Sequence, residues 1–372
     1  MNILVTGYKG FVGQNLIYYL KKNKKVKILT FGKENNIEDL NFLINKSDII
    51  FHLAGENRNK NEREFVKNNL NLTKYIVSII KKKDKKTHLI FSSTSQILKK
   101  KNIYSKTKLL TENFLKQNIN KFFSVKIYRF TNLFGKWAKP NFNSVIATFS
   151  HLISRNKKIK LSKVNENIEF LHIDRVIELF EKDIKKKPIK KFELINKFDK
   201  TYKIKLHDLA KKINYFHLNR KNLLCEKELA YGFDKLLYST YLSYIPTSQY
   251  KYLISSKNDK RGSFYEFIKS SKNGQISILV VKPNQVRGNH YHMTKVEKFF
   301  ILTGNGEFIF ENLITKIQKK IKVNSSQKTI VETIPGWVHN IKNTGKKDLI
   351  FILWSNEIYN QNKPDTVYSE IN

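Results

Sequence analysis

The sequence predicts two domains in series, an α/β domain with a doubly wound parallel sheet over residues 1–248 and an all-β barrel over residues 249–372. At 372 residues the chain is too long for one ordinary domain and suits two, each able to bury a core. Strand-like runs alternate with helical stretches through the first two-thirds, whereas short β-runs fill the last third. Residues 239–248 have turn chemistry without helical periodicity, so we expect the join between residues 241 and 252.

The chain is strongly basic, with a formal net charge of +39 at pH 7. Its lysines are spread between asparagines and isoleucines along the whole chain, without a basic helix-turn-helix or an Arg/aromatic platform, so we expect no nucleic-acid function. The single cysteine, Cys225, excludes an internal disulfide and is compatible with a reducing compartment. No apolar run approaches the roughly 18 residues of a membrane helix, and the opening strand leaves no space for a signal peptide. We therefore expect a soluble, cytoplasmic protein without membrane insertion.

An apolar strand at the N-terminus runs directly into a glycine-rich turn. Gly7, Gly10 and Gly13 follow one another at intervals of three, and an amphipathic helix comes next. Glycines let the backbone approach a pyrophosphate, whose charge is then held by amides at the helix N-terminus. The turn, with Phe11 and Val12 inside it, therefore predicts a dinucleotide site.

Residues suited to carbonyl reduction follow further along the chain. Residues 89–94 form a buried strand that ends in hydroxyls, and Tyr104 and Lys108 are four apart and so share one helix face. Tyr104 would protonate a carbonyl oxygen as hydride reaches the carbon, but its ordinary pKa of about 10 is too high for neutral pH. Lys108 and an oxidised nicotinamide ring would lower that pKa. Thr94 would orient the carbonyl, with Ser93 as the alternative hydroxyl.

This constellation resembles the short-chain dehydrogenase/reductase family, and residues 129–135 and 171–174 resemble its extended branch, which handles sugar nucleotides. The resemblance implies a Rossmann-like domain and places Asn69 at the opening of a helix. Family dehydratases carry an Asp-Glu pair directly after the active hydroxyl, whereas this chain has Ser95-Gln96, so we expect redox chemistry rather than elimination. The predicted cofactor-binding residues are Gly7, Gly10, Phe11, Val12, Gly13, Lys33, Leu53, Ala54, Gly55, Asn69, Tyr104 and Lys108.

The strand after the glycine turn and its helix points to NADPH as the cofactor. It ends in Gly32-Lys33, without an acid to hold a ribose 2′-hydroxyl, and a cation there suits a 2′-phosphate. Glu34, one residue further, is the feature that favours NADH instead.

Three histidines and a glutamate near the C-terminus predict a divalent metal site. His290 and His292 alternate on a strand and so project from one face, Glu297 returns on the next strand, and His339 follows a tight turn. Three imidazoles and one carboxylate suit a first-row metal with room for an exchangeable ligand. Zinc, iron, manganese and nickel all fit this ligand set.

The spacing of these ligands resembles the cupin superfamily, small jelly-roll β-barrels. Residues 259–266 and 287–290 resemble its nucleotide-sugar epimerase branch, whose members invert carbons next to a ketone. In metal-free members the histidine that matches His290 is the base, but here His290 lies inside a ligand pattern. The resemblance assigns Arg261 and Glu266 to substrate binding.

The order of the two domains resembles, over the whole chain, bifunctional capsular polysaccharide enzymes in which a UDP-sugar reductase is fused to a cupin epimerase. This resemblance implies zinc, a homodimer, and a UDP-2-acetamido-2,6-dideoxy-4-hexulose substrate. The cupin half would invert carbon 3 and the reductase half would then reduce the 4-ketone, towards UDP-N-acetyl-L-fucosamine. We expect Asn132, Lys136 and Asn143 to contact the UDP-sugar on the reductase side.

Two other functions remain open at this point. The first domain could be an epimerase that retains its cofactor and returns the hydride, with the barrel as a metal-dependent isomerase of another hexose. A non-enzymatic sensor of dinucleotide and sugar is the second, but a sensor has no need of Tyr104, Lys108 and a strand-end hydroxyl together.

Overall fold

The structure is a computed structural model that describes residues 1–83, 86–98, 102–120, 123–161, 165–186 and 191–371. The chain divides into two compact units. The first comprises residues 1–214 and 236–246, and the second comprises residues 215–235 and 247–372. The sequence predicts one boundary after residue 248, whereas in the structure residues 215–235 group with the later part of the chain. Backbone hydrogen bonds explain this grouping, because Cys225 N donates to Lys269 O at 2.7 Å and Lys269 N donates to Leu223 O at 2.8 Å.

The first unit is built on a parallel sheet with the strand order β2-β1-β3-β4-β5-β8. A smaller sheet has the order β6-β7-β9. The strands are β1 (Asn2–Thr6), β2 (Lys27–Phe31), β3 (Ile49–His52), β4 (Thr87–Thr94), β5 (Phe123–Phe130), β6 (Asn132–Phe134), β7 (Asn167–His172), β8 (Phe192–Ile195) and β9 (Tyr202–Lys205).

Helices connect these strands in the order that a parallel sheet requires. They are α1 (Phe11–Leu20), α2 (Ile37–Lys46), α3 (Glu62–Phe65), α4 (Leu72–Lys81), α5 (Ile103–Gln117), α6 (Val145–Ile153) and α7 (Ile173–Lys185), followed by α8 (Leu206–Lys221) and α9 (Gly232–Leu242). A π-helical turn, Val66–Asn71, joins α3 to α4.

The central strands bury both of their faces. Leu4 of β1 belongs to one core cluster, while its neighbours Ile3 and Val5 belong to a second cluster. The same alternation occurs in β4, where Leu89 and Ile90 enter opposite clusters. Since successive side chains point to opposite faces of a sheet, the two clusters are the two layers between sheet and helices. The predicted doubly wound α/β fold is confirmed.

The second unit is all-β, with two antiparallel sheets in the orders β10-β11-β12-β19-β14-β17 and β16-β15-β18-β13-β20. Phe299, Phe308 and Phe351 meet edge to face in a buried core to which both sheets contribute. The strands are β10 (Ser256–Asp259), β11 (Gly262–Ser270), β12 (Gly274–Val281), β13 (Val286–Tyr291), β14 (Glu297–Thr303), β15 (Asn305–Asn312), β16 (Gln318–Asn324), β17 (Ile330–Glu332), β18 (Trp337–Asn343), β19 (Leu349–Ser355) and β20 (Val367–Tyr368).

Strand β13 carries a β-bulge against β18. Gly288 pairs with Asn340 and His290 pairs with His339, so Asn289 is an extra residue without a partner across the ladder. Both bulge residues have positive φ, +105° at Gly288 and +58° at Asn289. A Cβ at Gly288 would lie 2.6 Å from His339 O, so the close approach of the two strands requires glycine there.

Among the residues that the structure describes, no helix combines the length and the apolarity needed to cross a membrane.

Candidate active sites

The glycine turn of the first unit is packed against the turn that follows β3. Gly7 has φ +70°, and a Cβ on it would lie 2.6 Å from Ala54 N. A Cβ on Gly13 would meet Gly7 O, so the start of α1 is packed closely on the turn. Gly7 thus packs on the backbone of Leu53 and Ala54, and Gly10 and Gly13 pack on the carbonyl of Gly7. Side chains at these glycines would not fit, which keeps the turn as close-packed backbone.

A buried chain of hydrogen bonds holds this turn in place. His52 is fully buried, with Nδ1 2.8 Å from Thr6 Oγ1 and Nε2 2.8 Å from Thr73 Oγ1. Because Thr73 donates its hydroxyl to Asn69 O at 2.7 Å, it accepts from His52, which therefore carries its hydrogen on Nε2. Thr6 in turn accepts from Ala54 N at 3.2 Å. Burial, with a smaller effect of Lys108, lowers the pKa of His52 to about 3, so the ring is neutral at physiological pH.

Asn69 connects the turn after β3 to helix α5. Its amide oxygen accepts from Glu56 N at 2.9 Å, and its amide nitrogen donates to Glu56 O at 3.0 Å and to Thr107 Oγ1 at 3.2 Å. The expectation that Asn69 opens a helix is wrong. It lies in the π-helical turn Val66–Asn71, inside a helical run that begins at Glu62. The π turn widens the helix locally. The buried side chain of Asn69 can therefore reach both Glu56, in the turn after β3, and Thr107, on α5.

The end of β4 separates two hydroxyls with different partners. Thr94 is hydrogen-bonded to the phenol of Tyr104, while Ser93 donates to Glu112 Oε1 at 2.5 Å. Glu112 also receives Arg129 through Nε and Nη2, at 3.0 and 2.6 Å. Thr94 is therefore the hydroxyl that meets Tyr104, and the alternative, Ser93, belongs to a buried ion pair.

Tyr104 and Lys108 lie on one face of α5, as their spacing predicts. Burial raises the pKa of Tyr104 to about 12, and the hydrogen bond from Thr94 opposes this rise. From the sequence, Lys108 is expected to lower the pKa of Tyr104. In the structure Lys108 Nζ instead donates to Ser92 O at 2.8 Å and lies 4.5 Å from the centroid of the Phe91 ring. Burial lowers the pKa of Lys108 to about 8, against the attraction of Glu112.

Charges of both signs lie at the end of β2, the place that the sequence predicts to distinguish NADPH from NADH. Lys33 is exposed, with Nζ 3.6 Å from Glu56 Oε2. Glu34 accepts from Tyr8 OH at 2.5 Å and lies 3.1 Å from Lys9 Nζ. The Tyr8 hydrogen bond above all, with backbone and Lys9 contributions, lowers the pKa of Glu34 to about 2.

The residues predicted to bind the UDP-sugar in the first unit lie around β6 and the start of α6. Asn132 Nδ2 donates to Glu169 O at 3.1 Å, and Lys136 Nζ lies 3.0 Å from Asp174 Oδ1. Asn143 is exposed just before α6. Trp137 between them is half exposed, has φ +71° and meets Tyr18 edge to face.

The four predicted metal ligands of the second unit converge. His290, His292, Glu297 and His339 each offer a ligand atom, and these atoms all lie within 4.8 Å of one another. The last three are buried. Glu297 Oε2 lies 3.4 Å from His292 Nε2 and 3.8 Å from His339 Nε2. Within the described part of the chain, His292 Nε2 and both ring nitrogens of His339 are buried without a hydrogen-bond partner.

The electrostatics of this cluster suit a cation. Burial, followed by the neighbouring His339, lowers the pKa of His290 to about 3, so its ring is neutral and can act as a ligand. Although burial alone would raise it, contacts with His292, His339 and Lys295 hold the pKa of Glu297 well below its ordinary value. Orphaned buried nitrogens around one carboxylate are what a first-row divalent metal would satisfy, so the residues fit such an ion.

A cavity of about 240 Å³ opens beside the cluster. Its lining includes His290, Glu297, His339, Glu266 and three cations, Lys257, Arg287 and Lys295. The predicted residue Glu266 thus lines the cavity, whereas Arg261 is absent from the lining and pairs with Asp259 at 2.7 Å. The same Asp259 carboxylate holds Arg287 at 2.8 Å.

Sequence reasoning missed Arg287, Lys257, Lys295 and Tyr359 as cavity residues. On a regular strand Arg287 and His290, three residues apart, would face opposite sides. The extra residue Asn289 brings both into the cavity. The glycine at position 288 is the only signal of that bulge in the sequence, since an isolated strand glycine suggests one.

Two family models match successive parts of the chain, and a curated relative matches nearly all of it. Residues 3–191 match the model of the NAD dependent epimerase/dehydratase family, and residues 257–367 match that of the polysaccharide biosynthesis C-terminal domain. The chain is 35% identical over 369 residues to UDP-2-acetamido-2,6-beta-L-arabino-hexul-4-ose reductase of Pseudomonas aeruginosa, with 98% of each chain covered.

Solved structures show the same similarity. The crystal structure of capsular polysaccharide assembling protein CapF from Staphylococcus aureus matches with a TM-score of 0.89 at 35% identity, and 100% of each chain is covered. UDP-glucuronic acid 4-epimerase from Bacillus cereus, in complex with NAD, matches with a TM-score of 0.52 at 20% identity, over 58% of this chain and 83% of that one. This second similarity shows the fold alone.

Proposed function

Because the chain belongs to the NAD-dependent epimerase/dehydratase family, we propose that it is a bifunctional enzyme of UDP-sugar metabolism. Its second unit epimerises carbon 3 of UDP-2-acetamido-2,6-dideoxy-4-hexulose, and its first unit then reduces the 4-ketone with NADPH. The product is a precursor of UDP-N-acetyl-L-fucosamine for capsular polysaccharide. The contact between Thr94 and Tyr104, one helical turn from Lys108, is the observation that carries the reductase.

In the reductase site, Thr94 and Tyr104 both direct hydroxyls to the carbonyl oxygen of the substrate. Tyr104 gives its proton to this oxygen. A nicotinamide cofactor, when bound, would supply the hydride for carbon 4. A phenol with a pKa of about 12 holds its proton until the ketone oxygen gains charge. Lys108, buried beside the Gly55 turn, supplies the positive charge that favours the reduced oxygen. Ser95 and Gln96 give no acid–base pair for dehydration.

In the second unit, the 4-ketone acidifies the proton on carbon 3, so a base can exchange it through an enediolate. His290, His292, Glu297 and His339 would hold a divalent ion, zinc by family resemblance. That ion, when bound, would act either as a Lewis acid on the ketone oxygen or as a structural centre of the barrel. Arg287 and Lys257 carry the charge that a nucleoside diphosphate needs at the cavity wall.

Reduction and epimerisation fit together chemically. The ketone that makes carbon 3 acidic is also the group that accepts hydride. Reduction to an alcohol ends the exchange, because without the ketone the proton on carbon 3 is no longer acidic.

The cofactor assignment is NADPH, because Lys33 and Lys9 place two cations near the end of β2. Glu34 is the opposing group. Because a carboxylate repels a 2′-phosphate and accepts a ribose 2′-hydroxyl, Glu34→Gln should strengthen NADPH binding and weaken NADH binding. Titration of both cofactors against both proteins checks this, and tighter NADH than NADPH binding by the unchanged protein would reverse the assignment.

Incubation with NADPH and the UDP-4-keto sugar in heavy water, followed by proton NMR, tests the whole proposal. We expect deuterium at carbon 3, an alcohol at carbon 4 and one NADPH consumed per product. Tyr104→Phe should stop reduction and leave deuterium uptake intact, while His290→Ala should slow deuterium uptake far more than reduction of a ketone already inverted at carbon 3. Interconversion without net NADPH consumption would favour the cofactor-retaining epimerase, and no turnover of either kind would refute the proposal.

A further inference from the structure

The C-terminal segment of the chain is built onto the metal-ligand cluster. Strand β20 adds to the edge of β13, with Tyr368 opposite His290 and Val367 opposite Tyr291. Ser369 N then donates to Asn289 O at 2.9 Å. The segment therefore lies against the strand that carries His290 and leads directly into His292.

Asp365, just before β20, binds the turn between His292 and Glu297. Its Oδ1 accepts from Met293 N at 2.8 Å, and its Oδ2 accepts from Thr294 N at 2.7 Å and Lys295 N at 2.8 Å. Oδ2 also accepts the Thr294 hydroxyl at 2.8 Å. Four donors thus engage the two oxygens of this carboxylate.

The main chain of the same residue contacts a proposed ligand directly. Asp365 O lies 2.5 Å from His292 Nδ1, and a carbonyl oxygen can only accept a hydrogen bond. His292 therefore carries its hydrogen on Nδ1 and directs the lone pair of Nε2 into the cluster, where this nitrogen is buried without a hydrogen-bond partner in the described structure. A carbonyl on the outer nitrogen of a histidine is the arrangement that orients metal ligands.

We propose that Asp365 is a positioning residue for the metal centre. Its side chain fixes the 293–295 turn, and its main-chain carbonyl sets the tautomer and ring orientation of His292. The proposal rests on the metal site proposed above. According to this proposal, the C-terminal segment raises metal affinity although it contacts neither the ion nor the substrate.

The test uses the full-length protein with Asp365→Asn, which places an amide donor against at least one backbone N–H and removes the charge. Co²⁺ titration by visible absorption, and competition with a chromophoric chelator for Zn²⁺, measure affinity and ligand geometry. We expect affinity to fall by about 10- to 100-fold, with a changed Co²⁺ spectrum. Thermal unfolding of the metal-free protein checks that Asp365→Asn remains folded.

Two further variants make the result specific. Glu370→Gln removes a carboxylate of the same segment that contacts only Tyr368 OH in the described structure, and it should bind metal like the unchanged protein. Thr294→Val removes one of the four donors to Asp365 and should give a smaller loss of affinity than Asp365→Asn. ¹⁵N NMR of His292 should report hydrogen on Nδ1 in the unchanged metal-free protein and a mixture of tautomers in Asp365→Asn.

The failures of the two proposals can be told apart. If the unchanged protein binds neither Co²⁺ nor Zn²⁺, the metal site itself is refuted. If it binds both and Asp365→Asn binds them equally well, or if Glu370→Gln loses as much affinity, only the positioning role is overturned.

Discussion

Two adjacent hydroxyls at the end of β4 show how single contacts decide a residue's role. Ser93 and Thr94 are both buried, and the sequence favours Thr94 with Ser93 as the alternative. Glu112, held by Arg129 from β5, takes the Ser93 hydroxyl, so Thr94 alone meets Tyr104. The partner that separates them, Glu112, lies 18 to 19 residues further along the chain and on another element, so the local pattern favours Thr94 without containing the contact that occupies Ser93.

This difference predicts unequal effects of removing the two hydroxyls. Thr94→Val should lower kcat for ketone reduction on the order of 10²-fold, because a donor to the carbonyl oxygen is lost. Ser93→Ala should leave kcat near the unchanged value and lower the free energy of unfolding by about 1 kcal/mol, since Glu112 keeps Arg129. Steady-state kinetics and urea unfolding of both variants check this. A larger loss of kcat in Ser93→Ala would reverse the assignment.

His52 predicts how the stability of the first unit depends on pH. Its folded pKa is about 3 and its ordinary value is 6.5, so on acidification the unfolded chain takes up the proton first. The contribution is therefore complete above pH 6.5 and is lost as pH falls towards 3, at up to about 1.4 kcal/mol per pH unit.

Urea unfolding at several pH values measures this slope. His52→Gln should be less stable at pH 7.5, because Thr6 and Thr73 lose a fitted partner, but its stability should fall less steeply below pH 6.5. Parallel pH curves for the two proteins would show that His52 does not titrate on unfolding.

At the scale of elements, strands and glycine turns were predictable because their signals are local. β1 reads as an apolar run ending at Gly7, and the structure buries its residues Ile3 to Thr6 completely. The π-helical turn at Val66–Asn71 was not predictable, because an extra residue shifts the apolar pattern by about a quarter of a turn and six residues are too few to reveal that shift. The bulge at Asn289 was not predicted for the same reason, as a single insertion into a strand of six residues.

The π turn gives a prediction for Asn69. Asn69→Ala should leave both backbone groups of Glu56 without their partner, lowering the free energy of unfolding by about 1–3 kcal/mol and weakening NADPH binding. Asn71→Ala, on an exposed position of the same turn, is the matched control and should change neither quantity. Denaturant unfolding and cofactor titration measure both. Equal effects in the two variants would mean that the change in helix propensity, and not the loss of the Glu56 contact, causes the changes in stability and in NADPH binding.

At the scale of the whole molecule, the charge of +39 bears on ligand capture rather than on fold. Both proposed ligands are anions, so the field of the protein should raise their local concentration. Salt screens this field within about 8 Å at physiological ionic strength. Ligand charges that are held by short contacts inside the binding sites are screened much less.

Ionic strength should therefore act on KM more than on kcat. Between about 20 mM and about 300 mM KCl, we expect KM for NADPH and for the UDP-sugar to rise several-fold while kcat stays nearly constant. Initial rates at constant pH check this, with an equal osmolarity of sucrose as the control. A KM independent of salt would show that only local contacts capture the ligands.

The bulge in β13 makes chain length, as well as residue identity, a determinant of the second site. Arg287 and His290 enter one cavity only because Asn289 interrupts the alternation between them. No exchange of amino acids in an unbroken strand can place two side chains three positions apart on the same side of a sheet. Deletion of Asn289 would turn either the arginine or the histidines away from the cavity. Among related chains, an insertion or deletion at this position therefore separates those that can assemble this cavity from those that keep only the barrel.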